Sequence, residues 1–376
     1  MITLKQAAKA ILAFPPCDTP CLLGSPGIGK SATVAACAKL MKAELITVYP
    51  VLRDVVDAKG LPYVIERGNA RITQWAAPAE FPLKIFHESF PADRPILLFI
   101  DDLFQAAPAV QNALSRAFFE RVIGEFPLMD NVRVVVASNR DSDRAATFRA
   151  PTYVNDRLTF FEVEPSAEEW VRLALGGFES DLDFNEEISQ KIRAALQKPL
   201  PEYLLAYVQW AGRVADFDAN RRSNLSPRSI ERAGRILLAF DAALSGTQEE
   251  KDVITTEALA GTIGAEEAGK LMAFRKRAKE LPNIEALLRG EEVPLPTKTE
   301  LLYMTAVAAL QRAKEEHVAG LAKLIRRLGE IQNEDRNPIA VEVSAFLFSA
   351  AQKKFPALRT QKDIADWIVR HHKILS

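Results

Sequence analysis

Cysteine, charge imbalance and long apolar runs are all scarce in this chain of 376 residues, and each shortage removes a class of protein. Three cysteines, Cys17, Cys21 and Cys37, make no disulfide framework. Cys17 and Cys21 have no further cysteine nearby to complete a metal set, so buried or incidental thiols are the expected reading. Lysine and arginine together number 48 against 49 acidic residues, which leaves no global field for nucleic acid or membrane. No apolar run reaches the ~18 residues that a membrane helix needs. The amino-terminal MITLKQAAKAILAF mixes lysines into an amphipathic pattern, unlike the basic-then-apolar order of a signal peptide. A cytoplasmic protein without a membrane span is expected. Repeats and low-complexity tracts are missing as well. His87, His317, His371 and His372 are scattered or paired at a helix end, where cations suit the helix dipole, and receive no catalytic role.

What is present divides along the chain, and the length argues for two or three domains. Up to about residue 165, apolar runs alternate with helical patterns, the signature of a parallel α/β sheet flanked by helices. Candidate strands are 21–24, 45–50, 95–101, 132–138 and 158–164, several of them unbroken Val/Ile/Leu/Phe runs suited to burial on both faces. Two short alternating runs around Arg67-Gly68-Asn69 predict a β-hairpin. Thr3 with Gln6, and Ser166 with Glu169, have the spacing of capping boxes. Beyond Pro165 only helical patterns follow, with a polar gap at 245–250. The expected domains are therefore 1–165, an α/β core; 166–248, a helical segment; and 249–376, a second helical region. The last helix, from Thr360, is expected to stack Ile364, Trp367, Ile368, His371 and Leu375 on one face.

The densest signal is GSPGIGKS, residues 24–31, between a predicted strand and a predicted helix. It fits G-x-x-x-x-G-K-[ST] completely, a loop whose glycines let consecutive N–H groups turn inward on phosphate oxygens. The helix beginning at Lys30 adds its positive end, with Val34, Cys37 and Met41 on its apolar face. Gly24, Ser25, Pro26, Gly27, Ile28, Gly29, Lys30, Ser31 and Ala32 are thus the candidate nucleotide-binding residues. Lys30 is expected on the β/γ-phosphates and the Ser31 hydroxyl on Mg²⁺.

A second signal is PILLFIDD, a buried strand ending in two acids. Beside a phosphate loop, Asp101 is the second anchor for Mg²⁺ and Asp102 the group that polarises an attacking water. Asn139, directly after VRVVVAS, can hold that water or a γ-phosphate oxygen, or simply form a turn. Arg157, just before another apolar strand, suits a finger given to a neighbouring subunit, although a surface arginine or an Asp156 pair would look the same. Arg140, Arg144 and Arg149 compete for that role. Arg228 lies in the first turn of a helix with Ser226 as N-cap and Pro227 next. A cation there opposes the dipole by ~0.3–1 kcal/mol. A triphosphate would remove the conflict; a pair with Glu231 is the plainer alternative.

This order of phosphate loop, acidic strand end, Asn139, Arg157 and Arg228 resembles the AAA+ ATPases, whose Walker A, Walker B, sensor 1, arginine finger and sensor 2 follow in that sequence. Within them the chain is most similar to the MoxR branch. The similarity rests on RDVVDAKGLP (53–62), on APAVQNALSRAFFERVIG (107–124) with the short hairpin after it, and on SNRDSDRAA followed by NDRLTFFEVEPSAEEW. It covers about residues 1–245. It implies a P-loop NTPase core, a helical lid over 166–248, and a C-terminal helical domain with weaker similarity. ATP and Mg²⁺ are the implied ligands. The implied activity is ATP hydrolysis in a homo-oligomeric ring, commonly a hexamer, that remodels a client protein or inserts a metal or cofactor into it. Such partners often carry a von Willebrand A-type domain. Where the family usually has Asp-Glu, this chain has Asp101-Asp102, one methylene shorter, which points to slower hydrolysis. The alternatives are a nucleic-acid motor or loader, which the interleaved charges of 274–280 and 323–328 disfavour, and a nucleotide-gated switch with little turnover.

Overall fold

The computed structural model describes residues 1–143, 148–175, 179, 182–331 and 339–375; Arg144 and the side chains of His372 and Leu375 lie outside them. The chain forms two compact units, one of Met1–Pro199 with Ala215–Ala268, the other of Leu200–Val214 with Gly269–Ser376. The strands, all in the first unit, are β1 (Ile2–Thr3), β2 (Pro20–Leu23), β3 (Glu44–Val48), β4 (Leu61–Arg67), β5 (Ala70–Ala76), β6 (Ile96–Ile100), β7 (Val122–Ile123), β8 (Phe126–Pro127), β9 (Val132–Ser138) and β10 (Thr159–Glu164). Six of them form one sheet in the order β1-β10-β2-β9-β6-β3, every neighbouring pair parallel.

The unbroken apolar runs explain the sheet's double cover. All five residues of β6, ILLFI, are buried, and successive side chains point to opposite faces. Leu97 and Phe99 join Leu22, Val135 and Phe161 in a core with helices Leu4–Ala13 and Lys30–Leu40. Ile96, Leu98 and Ile100 join Leu23, Val134 and Phe160 in a second core with helix Pro108–Phe119. The predicted hairpin is β4–β5, paired from Leu61↔Ala76 to Arg67↔Ala70, with Gly68 at φ +62° in its turn. β1 is an element the periodicity did not indicate. It pairs with β10 before Thr3 caps the first helix, where Thr3 and Gln6 exchange side-chain and backbone bonds of 3.3 and 3.0 Å.

β1 covers only the last two residues of β10, and an open strand edge invites pairing with other chains. Helix Gln248–Ile263 closes the rest. Glu257 Oε1 accepts the Glu162 N–H at 3.1 Å, and the hydroxyls of Thr159 and Thr262 meet at 3.0 Å. Gly261 permits the approach: a Cβ there would overlap the Phe160 carbonyl. Gly261→Ala must push the helix off the strand, a backbone clash that no rotamer relieves. The expected cost is at least ~1–3 kcal/mol, or roughly 2–4 °C of melting midpoint per kcal/mol for a unit of this size. A thermal scan unchanged within 1 °C, on the order of experimental error, would contradict the seating of this helix on β10.

In the second unit, helix Glu202–Ala211 lies against helix Thr299–Arg312, where Arg312 clasps Glu202 through two bonds of 2.7 Å. Its core gathers Leu302, Leu321, Ile325, Leu347, Ile364 and Trp367. The Trp367 indole N–H donates to Ser344 Oγ at 3.0 Å, satisfying a buried donor. On the last helix Ile364 and Trp367 are buried as the stripe predicts, while Ile368 is 36% exposed. No described helix is long and apolar enough to cross a membrane.

Candidate nucleotide site

Strand order brings the distant signals together. β9 lies between β2 and β6, so the carboxyl ends of the three strands release Gly24–Ser31, Ser138–Asn139 and Asp101–Asp102 side by side. In an open parallel sheet this is where ligands bind.

The loop has the backbone its glycines require, with Gly27 at φ +77° and Gly29 at φ +107°. A Cβ on Gly24 would come within 2.8 Å of the Val163 carbonyl oxygen, so the start of the loop also needs glycine. No side chain caps helix Lys30–Leu40, which leaves its first N–H groups for a ligand. Val34, Cys37 and Met41 are buried beneath it as the pattern predicts. Lys30 is buried and donates to the carbonyls of Gly24 and Ser25 at 2.7 and 3.0 Å and to Asn139 Oδ1 at 2.8 Å. All three acceptors are neutral, so the lysine's charge remains for an anion. Burial lowers its pKa, while Asp102, Asp101 and Asp143 push it back up.

The acids divide by environment. Asp101 is buried, and its Oδ2 accepts the Ser31 hydroxyl at 2.7 Å. The two candidate metal-holding residues are therefore already in contact, an oxygen-only pair suited to Mg²⁺. Asp102 is half-buried in left-handed backbone (φ +58°, ψ +38°), uncommon for a residue with a side chain. Burial, followed by the Asp101 charge, raises its pKa, and Lys30 opposes them. Its Oδ1 accepts from Gln105 Nε2 at 3.0 Å. Cys21 and Cys37 are core thiols, pushed up to about 12 by burial.

Residues 20–160, the span of this geometry, match the family described as "ATPase family associated with various cellular activities (AAA)". Over that span the chain is similar to the AAA ATPases. Nucleotide binding and ATP hydrolysis are the activity of such a domain. A candidate ATPase from Cytophaga hutchinsonii, known from a crystal structure, shares 16% sequence identity; the match covers 74% of this chain and 88% of that one, with a TM-score of 0.41. At that level of agreement it says nothing about activity. No curated protein matches the chain.

Not every expected residue joins the nucleotide site. Arg157 donates to Ser115 Oγ at 3.2 Å and Glu120 Oε1 at 3.1 Å and lies over the Tyr153 ring, all outside the Lys30 cluster. It borders a cavity of about 520 Å³ lined also by Trp75, Asn112 and Glu125. Arg228 is paired with Asp156 at 2.6 Å and stacked over Phe119; Glu231 is instead taken by Arg235 at 2.7 Å. Arg157 and Arg228 thus sit beside each other's neighbours, at the carboxyl end of helix Pro108–Phe119. Of the competing arginines, Arg140 donates to the Val163 carbonyl at 2.8 Å and Arg149 to that of Ala219.

Pattern reading missed two sets of residues here. Gln105 and Ser138 join the site, and the only sign was a polar residue closing an otherwise apolar strand. Arg232 and Arg235 anchor helix Pro227–Ala243. Arg235 grips buried Asp18 through bonds of 2.8 and 2.7 Å, and Arg232 bonds the Leu158 carbonyl at 2.6 Å. Nothing local signals those contacts.

Proposed function

We propose that the chain is a MoxR-like AAA ATPase that works as a homo-oligomeric ring, a hexamer as the family resemblance implies, and uses ATP to remodel or load a client protein. ATP is held by Gly24–Ala32 with Lys30 on its β/γ-phosphates. Ser31 and Asp101 hold Mg²⁺, which when bound neutralises charge on the phosphates. Asn139 orients the attacking water and Asp102 accepts its proton as the water oxygen bonds the γ-phosphorus and the bond to the β-phosphate oxygen breaks. The observation that carries the ring is the separation of Arg157 from the Lys30, Ser31, Asp101 and Asn139 set of its own chain. A finger held against Glu120 serves another copy's phosphates, and Arg228, on the same side, accompanies it. In this reading residues 166–248 form the lid and 249–376 a C-terminal helical domain.

The client role draws support from the hairpin β4–β5, whose Leu61 and Val64 are 63% and 65% exposed. Hairpin β7–β8 is a second contact in this reading. A partner with a von Willebrand A-type domain rests on the family resemblance. The basic stretches that a nucleic-acid motor would use are largely engaged with carboxylates: Arg277 with Glu300 at 2.7 Å, Arg326 with Asp363 at 2.8 Å, Lys323 with Glu292 at 2.6 Å.

The test is ATP turnover per subunit against protein concentration, with mass measured in parallel. Turnover is expected to rise and then level off as a species of about six copies forms. A concentration-independent rate from a single-copy species would refute the ring.

A further inference from the structure

A chain of hydrogen bonds joins the end of β9 to Asp102, and its direction can be worked out. Ser138, fully buried as the last residue of β9, accepts the Phe104 N–H on Oγ at 3.0 Å. The Asp102 carboxylate can only accept from the far end of the Gln105 amide, so the near end is Oε1 and takes the Ser138 proton at 2.7 Å. The two contacts together fix which end of the Gln105 amide is oxygen. The opposite end is the N–H group, and it donates to Asp102 Oδ1 at 3.0 Å. Each bond is committed: Phe104 N–H to Ser138, Ser138 O–H to Gln105, Gln105 N–H to Asp102.

We propose that Gln105, oriented by Ser138, is a positioning residue that fixes the Asp102 carboxylate for the attack on ATP. This rests on the reading of Asp102 as the group that takes the water's proton. Two observations support it. Asp102 carries the shorter of the two acidic side chains, so a small rotation of its carboxyl moves the reactive oxygen out of reach of a fixed water. Its Oδ1 is occupied by Gln105, while Oδ2 has no hydrogen-bond partner among the described residues; one oxygen is held and the other presented. Ser138 also precedes Asn139, whose amide oxygen is bonded to Lys30. One strand end therefore holds both the lysine of the phosphate loop and, through Gln105, the acid.

The experiment compares the wild type with Gln105→Leu, Ser138→Ala and Asp102→Asn in the full-length chain. It measures kcat and KM for ATP, and the affinity for a fluorescent ATP analogue. Gln105→Leu is close in size and cannot donate. It should lower kcat roughly tenfold, the worth of one hydrogen bond to a charged group, with analogue affinity unchanged. KM for ATP should stay close to the wild-type value, because the phosphate loop is untouched. Ser138→Ala leaves the amide free to turn over and should lower kcat by less, again with KM and analogue affinity unchanged, which keeps the idea testable if the leucine variant folds poorly. If Asp102→Asn abolishes turnover while both other variants keep the wild-type kcat, positioning by Gln105 is wrong and the role of Asp102 stands. If Asp102→Asn turns over normally, both fail together.

Discussion

Lys30→Ala is expected to remove ATP binding and turnover together. The buried Nζ holds two carbonyls of its own loop and the Asn139 amide, all neutral, so it brings a full positive charge, uncompensated by those partners, into the cradle. Loop N–H groups and the helix end supply partial charges only. Losing a charge-assisted contact to each of two phosphates costs about 3 kcal/mol or more, at least about a hundredfold in affinity. The truncation also leaves Asn139 without the contact that orients it. Titration with a fluorescent ATP analogue should show the loss, with turnover below detection. Affinity within a few-fold of wild type would mean that phosphate is not recognised at this loop.

Arg157→Ala separates catalysis from binding. Its phosphate loop is intact, so the analogue should bind as in wild type, and turnover should fall on the order of 10³-fold if the finger is fully used. The fold should tolerate the change. Glu120 keeps a second partner in Arg116 at 2.6 Å, so no carboxylate is orphaned. A mixing experiment adds the direction of the effect. Lys30→Ala subunits still carry Arg157, and Arg157→Ala subunits still bind ATP, so mixing two inactive proteins should restore part of the activity. No recovery, together with a wild-type rate for Arg157→Ala alone, would remove the finger and with it the argument for a ring.

Neighbourhoods of a few residues were legible before any coordinates. The phosphate loop was readable because its glycines state a backbone conformation, and φ +77° and +107° at Gly27 and Gly29 belong to that residue type. The strand ends were readable because a fully buried strand must be an unbroken apolar run, and the first polar residues after it mark its carboxyl end. Caps at Thr3 and Ser226 follow from a bond spanning three residues. By itself, then, the sequence determined the loop, the acids, the cap positions and the alternation of strand and helix.

Partners far apart along the chain were decided only by the tertiary structure. Arg157 had Asp156 next to it and took Glu120; Arg228 had Glu231 one turn away and took Asp156. Helix Gln248–Ile263, separated from the sheet by a helical stretch, seals the edge of β10, and Leu200–Val214 leaves its sequence neighbours for the second unit. The bond from Ser138 to Gln105 spans 33 residues and exists because β9 is inserted beside β6. Local pattern reports what a segment costs to fold and which face it must bury, while the partner for that face is set by the order in which strands enter the sheet, and that order depends on all of their interactions at once.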